Sequence, residues 1–261
     1  MKILVLVKNV PEVAEAELEI DQGALDLEDL EMVVNEWDNY AVEEAVRITE
    51  ASGGEVHLLT LGSEDDEDVL RRGLAMGAHA ASHLCDEAFE GSDPATLAKV
   101  FAAAVKGGGY DLILTGVQSA DLGQASTGVL LAQELGLPHA TMAIALEPGA
   151  GEVVVTRELE NNTSEKVALP LPAVVTVQSG INQPRYVSIM GIRKVRKMTI
   201  EQIEAADLGL AEESLGAAAS MVDSQSLALP PMGQGAQMLQ GGLDSVCDQA
   251  AAILREKGGL A

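Results

Sequence analysis

Small, hydroxyl and amide side chains gather in one stretch, 116–128, which reads Gly-Val-Gln-Ser-Ala-Asp-Leu-Gly-Gln-Ala-Ser-Thr-Gly. It follows an apolar run at 111–115 and precedes a helical pattern that starts near Thr127. Backbone N–H groups and a helix N-terminus in such a place can point at an anion, the physics of a phosphate cradle. The candidate cradle residues are Gly116, Gln118, Ser119, Ala120, Asp121, Gly123, Gln124, Ala125, Ser126 and Thr127. The spacing matches neither the Walker A loop nor the dinucleotide fingerprint. A plain strand-to-helix connection capped by Ser126 or Thr127 has the same composition.

A second polar group, Asn35, Glu36, Trp37 and Asp38, opens the first long helical pattern. Side chains at such a helix start can contact a ribose, a base edge or a phosphate. The plainer reading is that Asp38 caps the helix and Trp37 packs.

The third group is a change of sign. Arg185, Arg193, Lys194, Arg196 and Lys197 are five of the 16 basic residues in a chain with 41 acidic ones and a formal charge of −25. Ile189, Met190 and Ile192 form an apolar knob beside them, and apolar anchors ringed by charge suit a transient protein interface. A buried strand end followed by a solvated basic helix is the competing reading.

Catalytic groups of other kinds do not emerge. His79 and His83 are four apart, but no cysteine pair accompanies them, so no metal site is expected. No Gly-x-Ser-x-Gly elbow occurs, and no Cys or Ser stands beside an evident His and acid, so no catalytic residue is assigned. The chain reads as one that holds a cofactor without acid–base chemistry of its own.

The elements that position these groups alternate. Short apolar runs at 3–7, 56–61, 112–114 and 173–177 read as buried parallel strands. Helical spacing at 39–49, 67–75, 96–104 and 127–135 lies between them. The expected fold is α/β: a Rossmann-like, mostly parallel sheet with helices on both faces, of the adenine-nucleotide α-hydrolase type. Residues 153–168, around a polar turn at 160–163, predict a β-hairpin near the sheet edge. Beyond residue 200 follow an acidic helical stretch, a Ser/Gln/Pro/Gly-rich passage at 224–237 and an amphipathic segment at 243–256. The expected division is a nucleotide-binding domain at 1–198 and an extended C-terminal arm at 199–261 that wraps a partner.

Composition narrows the class. Aromatic residues are 2% of the chain and apolar residues 47%, so the core is built of aliphatic side chains. The acidic balance repels phosphate backbones and argues against nucleic acid as a partner. Two distant cysteines fit a reducing compartment. With no 18-residue apolar run and an apolar start too short for a signal peptide, a cytoplasmic protein with no membrane insertion is expected.

Taken together, the motifs resemble the electron-transfer flavoprotein β-subunit family. The clearest stretch is Leu-Pro-Leu-Pro-Ala-Val-Val-Thr at 169–176, continuing through Asn-Gln-Pro-Arg-Tyr at 182–186 into the basic run. Val7-Lys8, Asn35 ahead of the helix at 41–45, Leu-Ala-Met-Gly-Ala at 74–78 and the 116–128 loop follow in the family's order.

The resemblance implies a heterodimer. An α subunit holds the FAD that exchanges electrons, and the β subunit binds an adenine nucleotide, either a structural AMP or, in bifurcating members, a second FAD that takes electrons from NADH. Carried over by position, the pocket comprises Leu6, 35–38, Leu61 and 116–127. Ile189 is the tip of a recognition loop for acyl-CoA dehydrogenase-type or quinone oxidoreductase partners, with Met190, Ile192, Arg193, Lys194 and Lys197 around it. Glu36 replaces a common proline. Ala125 and Gly123 resemble the flavin-binding members and favour FAD, whereas Thr127 suits the AMP type. A stand-alone adenine-nucleotide sensor of similar fold is the alternative, but it needs neither arm nor knob. An ATP-cleaving amide-forming enzyme would need a Ser-Gly-Gly-x-Asp-Ser loop where Lys8-Asn9-Val10-Pro11 stands.

Overall fold

The computed structural model describes residues 1–14, 16–21, 23–223, 225–231 and 235–259; within the 224–237 passage, Ser224 and 232–234 lie outside these. A strand buried on both faces has no polar alternation, and strand β1 (Lys2–Leu6) is buried after its first residue. Its side chains serve two cores. Ile3 and Val5 face one cluster, with Ala41, Val42 and Val46 of helix α1 (Glu36–Ser52) and Leu70 and Leu74 of helix α2 (Glu67–Met76). Leu4 and Leu6 face the other, with Ala98 and Phe101 of helix α3 (Pro94–Val105) and Leu131 of helix α4 (Thr127–Leu135). The sheet is therefore sandwiched between two helical layers.

The other strands of this sheet are β2 (Glu55–Leu61), β3 (Ala80–Leu84), β4 (Leu112–Gly116), β5 (His139–Pro148), β6 (Glu152–Leu159), β7 (Thr163–Pro170), β8 (Ala173–Val177) and β9 (Glu201–Ile203). Their order is β7-β6-β5-β8-β4-β1-β2-β3-β9. The ladders from β5 to β9 are parallel, and β6 and β7 form the expected antiparallel hairpin at one edge. Strand order runs one way from β1 through β2 to β3 and the other way through β4, so the switch point falls between β1 and β4. Open α/β sheets carry their ligand crevice there, beyond the carboxyl ends of the strands.

Strands β3 and β5 are among those that the sequence pattern does not show. The mixed Ala-Ala-Ser-His-Leu of β3 lacks an unbroken β-branched run, and β5 bulges against both neighbours, with Met142 left-handed at φ 57°. The acidic helical stretch expected after residue 200 begins instead as strand β9, in parallel register with Ser82–Leu84. Short 3₁₀ turns and helix α6 (Gly216–Ala219) follow it. Basic residues Arg193 and Lys194 fall within helix α5 (Ile189–Val195), and Arg196 and Lys197 follow it.

The chain forms two units. One comprises Met1–Glu19 and Asp26–Gln225 and contains the sheet, α1–α6 and a small ladder between Asn9–Pro11 and Met32–Val34. The other comprises Ile20–Leu25 and Ser226–Ala261. It holds a two-stranded ladder, Ile20–Asp21 against Ala24–Leu25, and helix α7 (Leu243–Glu256). Among the described residues, no helix is long and apolar enough to cross a membrane.

Candidate functional site

The cleft at the switch point encloses about 130 Å³. Leu6, Val7 and Lys8 leave β1 on one side, and Thr115, Gly116, Val117, Gln118 and Ser119 leave β4 on the other. Leu61 ends β2, while Leu97 and Phe101 of α3 complete an apolar wall. Leu122, Gln124, Ala125, Ser126, Thr127 and Gly128 close it at the start of α4.

Asn35 and Asp38 hold the cleft's two polar loops together. Asn35 is almost wholly buried; its Nδ2 donates to the Gln118 carbonyl at 2.8 Å, and its Oδ1 accepts the Ala120 N–H at 3.1 Å. Its amide therefore shapes the 116–126 loop from below. Asp38 does not cap α1, as the sequence suggests, because Asn35 occupies the N-cap position without a side-chain cap bond. Asp38 instead reaches outward: its carboxylate accepts the Lys8 N–H at 2.8 Å and the Gly116 N–H at 3.0 Å, tying β1 to β4. Burial pushes its carboxyl up to about 7, although the Asn35 side chain, the two N–H donors and the Lys8 charge all pull the other way.

Close approach sets the glycines. A Cβ on Gly116 would stand 2.3 Å from Asp38 Oδ1, and one on Gly128 would stand 2.6 Å from Thr115 Oγ1. The loop between them turns through Gly123 at φ 60° and Ala125 at φ 48°. A residue with a Cβ pays on the order of 1–2 kcal/mol for that left-handed conformation, and such strain persists where surrounding structure imposes it.

Ser126 stands at the N-cap of α4, yet its hydroxyl accepts no cap bond. The first N–H groups of α4 are thus not taken up by the expected cap, beside a cleft that Ser126 and Thr127 line. Together with the positive end of the helix dipole, this makes a receptive place for an anion.

Of the residues expected from sequence, Leu6, Asn35, Asp38, Leu61, Gly116, Gln118, Ser119, Gln124, Ala125, Ser126 and Thr127 line the cleft. Five do not. Glu36 is exposed on α1, and Trp37 Nε1 donates to Gln178 Oε1 at 2.9 Å beside the end of β8. Ala120 meets Asn35 through its backbone, Asp121 pairs with Lys8 Nζ, and Gly123 serves the turn. Lys8, Leu97 and Phe101 also line the cleft, outside the residues that the sequence assigns to it. Lys8 is signalled by its place directly after β1; Leu97 and Phe101 share an ordinary core-helix pattern and carry no signal of their own.

The basic-apolar segment lies elsewhere on the larger unit. Ile189 is 70% exposed and Met190 61%, with Ile192 exposed behind them. Arg193, Lys194, Arg196 and Lys197 are exposed as well. Arg185 leaves this set: its guanidinium is forked onto Glu43 (2.8 and 3.2 Å) and Glu50 (2.8 and 3.1 Å) of α1. Asn182 likewise donates to the Tyr40 carbonyl and to Glu44. The 182–185 motif is therefore a strap over α1 that delivers the chain to α5.

Similarity to known proteins runs along most of the chain. A family model described as "Electron transfer flavoprotein domain" matches residues 23–208. "Electron transfer flavoprotein subunit beta" of Methylophilus methylotrophus is 37% identical, over 98% of this chain and 97% of its own. The protein of the same name from Bacillus subtilis (strain 168) is 31% identical over 98% of each. "Caffeyl-CoA reductase-Etf complex subunit CarD" of Acetobacterium woodii is 32% identical over 98% of this chain and 99% of its own. Relatives above 30% identity over nearly the whole length, around a cleft at the switch point of the sheet, establish that the chain belongs to the electron-transfer flavoprotein β-subunit family.

Proposed function

We propose that this β subunit works in a two-subunit electron-transfer flavoprotein, holding the adenosine monophosphate part of a nucleotide in its cleft and presenting α5 to partner dehydrogenases. One observation carries the reading: the cleft has an apolar wall at one end and an uncapped helix start at the other. Leu6, Leu61, Leu97 and Phe101 suit a purine. The N–H groups at the start of α4 suit a phosphate. The residues therefore fit an adenine nucleotide. A bound flavin would supply the electron-transfer chemistry; this chain's own residues bind and orient. The α subunit is its partner, and acyl-CoA dehydrogenase-type or quinone oxidoreductase proteins are the docking class.

The same moiety occurs in AMP and in FAD, and Ala125 with Gly123 in the loop favours FAD. Co-expressing this chain with its α subunit, purifying the yellow pair and counting released nucleotides tests the assignment. Two FAD per pair supports FAD in the cleft, and one FAD with one AMP reassigns it to AMP. A pair with one FAD and no second adenine nucleotide overturns the nucleotide reading.

A further inference from the structure

Helix α5 is seven residues long, and exposed cations at 193 and 194 in it and at 196 and 197 just after it repel one another. A helix of that length does not hold itself together in water, where about 12–15 residues are the margin. Its conformation must come from what grips it. At the N-terminal end, Ser188 Oγ accepts the Gly191 N–H at 3.1 Å. At the C-terminal end the Val195 carbonyl accepts the Met198 N–H at 2.9 Å, and a further grip comes from another element. Arg71 of α2 extends one nitrogen, Nη1, to both the Val195 carbonyl at 3.1 Å and the Met198 carbonyl at 2.6 Å. Its Nε and Nη2 both meet Glu67 Oε1 at 2.8 Å, which fixes the plane of the fork. The Arg71 side chain is only 16% exposed.

From this geometry we infer that Arg71, oriented by Glu67, is a positioning residue for docking: it holds α5 so that Ile189 and Met190 are presented together with the cations. The guanidinium suits the task because its planar fork serves a carboxylate and two carbonyls at once, which an ammonium does not. A cation at the C-terminal end of α5 also opposes the negative end of its dipole. The inference rests on the reading of α5 as the docking helix, and two separate readouts distinguish failure of the clamp from failure of that reading.

The heterodimer carrying Arg71→Gln is compared with wild type by limited trypsin digestion at 193–197 and by steady-state electron transfer to an acceptor dehydrogenase. Losing a charged hydrogen bond corresponds to at least about tenfold in the opening equilibrium of the segment. Cleavage should accelerate by about that factor. The apparent KM for the dehydrogenase should rise several-fold while kcat and flavin content hold. Arg71→Lys should restore part of both effects, and Glu67→Gln, which leaves Arg71 in place, should shift both in the same direction by less. Unchanged cleavage in Arg71→Gln and Glu67→Gln overturns the clamp whatever happens to KM. Faster cleavage with an unchanged KM overturns α5 as the docking helix, and the docking role of Arg71 with it.

Discussion

Asp38 sits where three segments meet, and its two accepted N–H groups make it a brace between β1 and β4. Replacing it by Ala leaves the Lys8 and Gly116 N–H groups without their acceptor, each at about 1–3 kcal/mol if buried from water. We expect Asp38→Ala to lower the unfolding free energy by at least that amount in urea and, on the proposed function, to weaken nucleotide binding in the cleft; unchanged stability would remove Asp38 from the brace. The carboxyl itself should titrate near pH 7 instead of near 3.8, because burial outweighs its donors. An acid whose pKa is raised on folding binds its proton more tightly in the native state. Its contribution is thus full below pH 3.8 and is lost as pH rises through about 7. A carboxyl ¹³C titration that places the midpoint near 4 would contradict the burial argument.

Elements at the far edge of the sheet are joined by a polar chain. Tyr110 O–H donates to His57 Nδ1, His57 Nε2 meets Ser82 Oγ at 2.9 Å, and Ser82 Oγ donates to Glu201 at 2.8 Å. One tautomer satisfies all of it: neutral His57 with its proton on Nε2. The chain links β2, β3 and β9 to the start of β4, and so secures the short strand that follows α5. Burial lowers the His57 pKa, with Lys2 helping and Glu201 and Glu55 opposing. The unfolded chain therefore binds more protons, and this contribution is present above pH 6.5 and fades as pH falls below it. Ser82→Ala should cost about 1–3 kcal/mol by leaving the His57 Nε2–H without its acceptor, since exposed Glu201 can turn to water. His57→Gln should flatten the loss of stability below pH 6.5, as read from urea midpoints at several pH values; a slope equal to wild type would exclude His57 as its source.

The chain as a whole carries a formal charge of −25, whereas α5 and the two residues after it present four exposed cations. A partner that approaches it must bring negative charge and an apolar recess, and long-range attraction acts mainly on association rate. Reversing Lys194 and Lys197 to Glu should slow association with the acceptor dehydrogenase and reduce the salt dependence of the rate. Ile189→Ala should speed dissociation while flavin content stays constant, since an apolar anchor acts after contact. Stopped-flow measurements across ionic strength separate the two, and equal effects of both changes on association alone would show that Ile189 is no anchor.

Local chemistry made much of this legible in the sequence. Unbroken aliphatic runs such as 3–7 and 173–177 read as buried strands because a strand covered on both faces has no polar residue to hide. The polar turn at 160–163 marked its hairpin, and the Gly-, Ser- and amide-rich loop after β4 marked the cleft. Tertiary structure decided what depends on distant partners. The mixed composition of β3 becomes a strand only between its neighbours, and residues 201–203 become β9 only because β3 offers an open edge. Asp38 is a brace instead of a cap because Lys8 and Gly116 are brought to it from 30 and 78 residues away. Leu97 and Phe101 join the cleft because α3 crosses the switch point. Arg185, indistinguishable in sequence from the cations after it, is neutralised by Glu43 and Glu50 over 142 and 135 residues. Periodicity reports what one segment buries, whereas a site is made where segments meet, and the meeting is set by the order in which the strands pair.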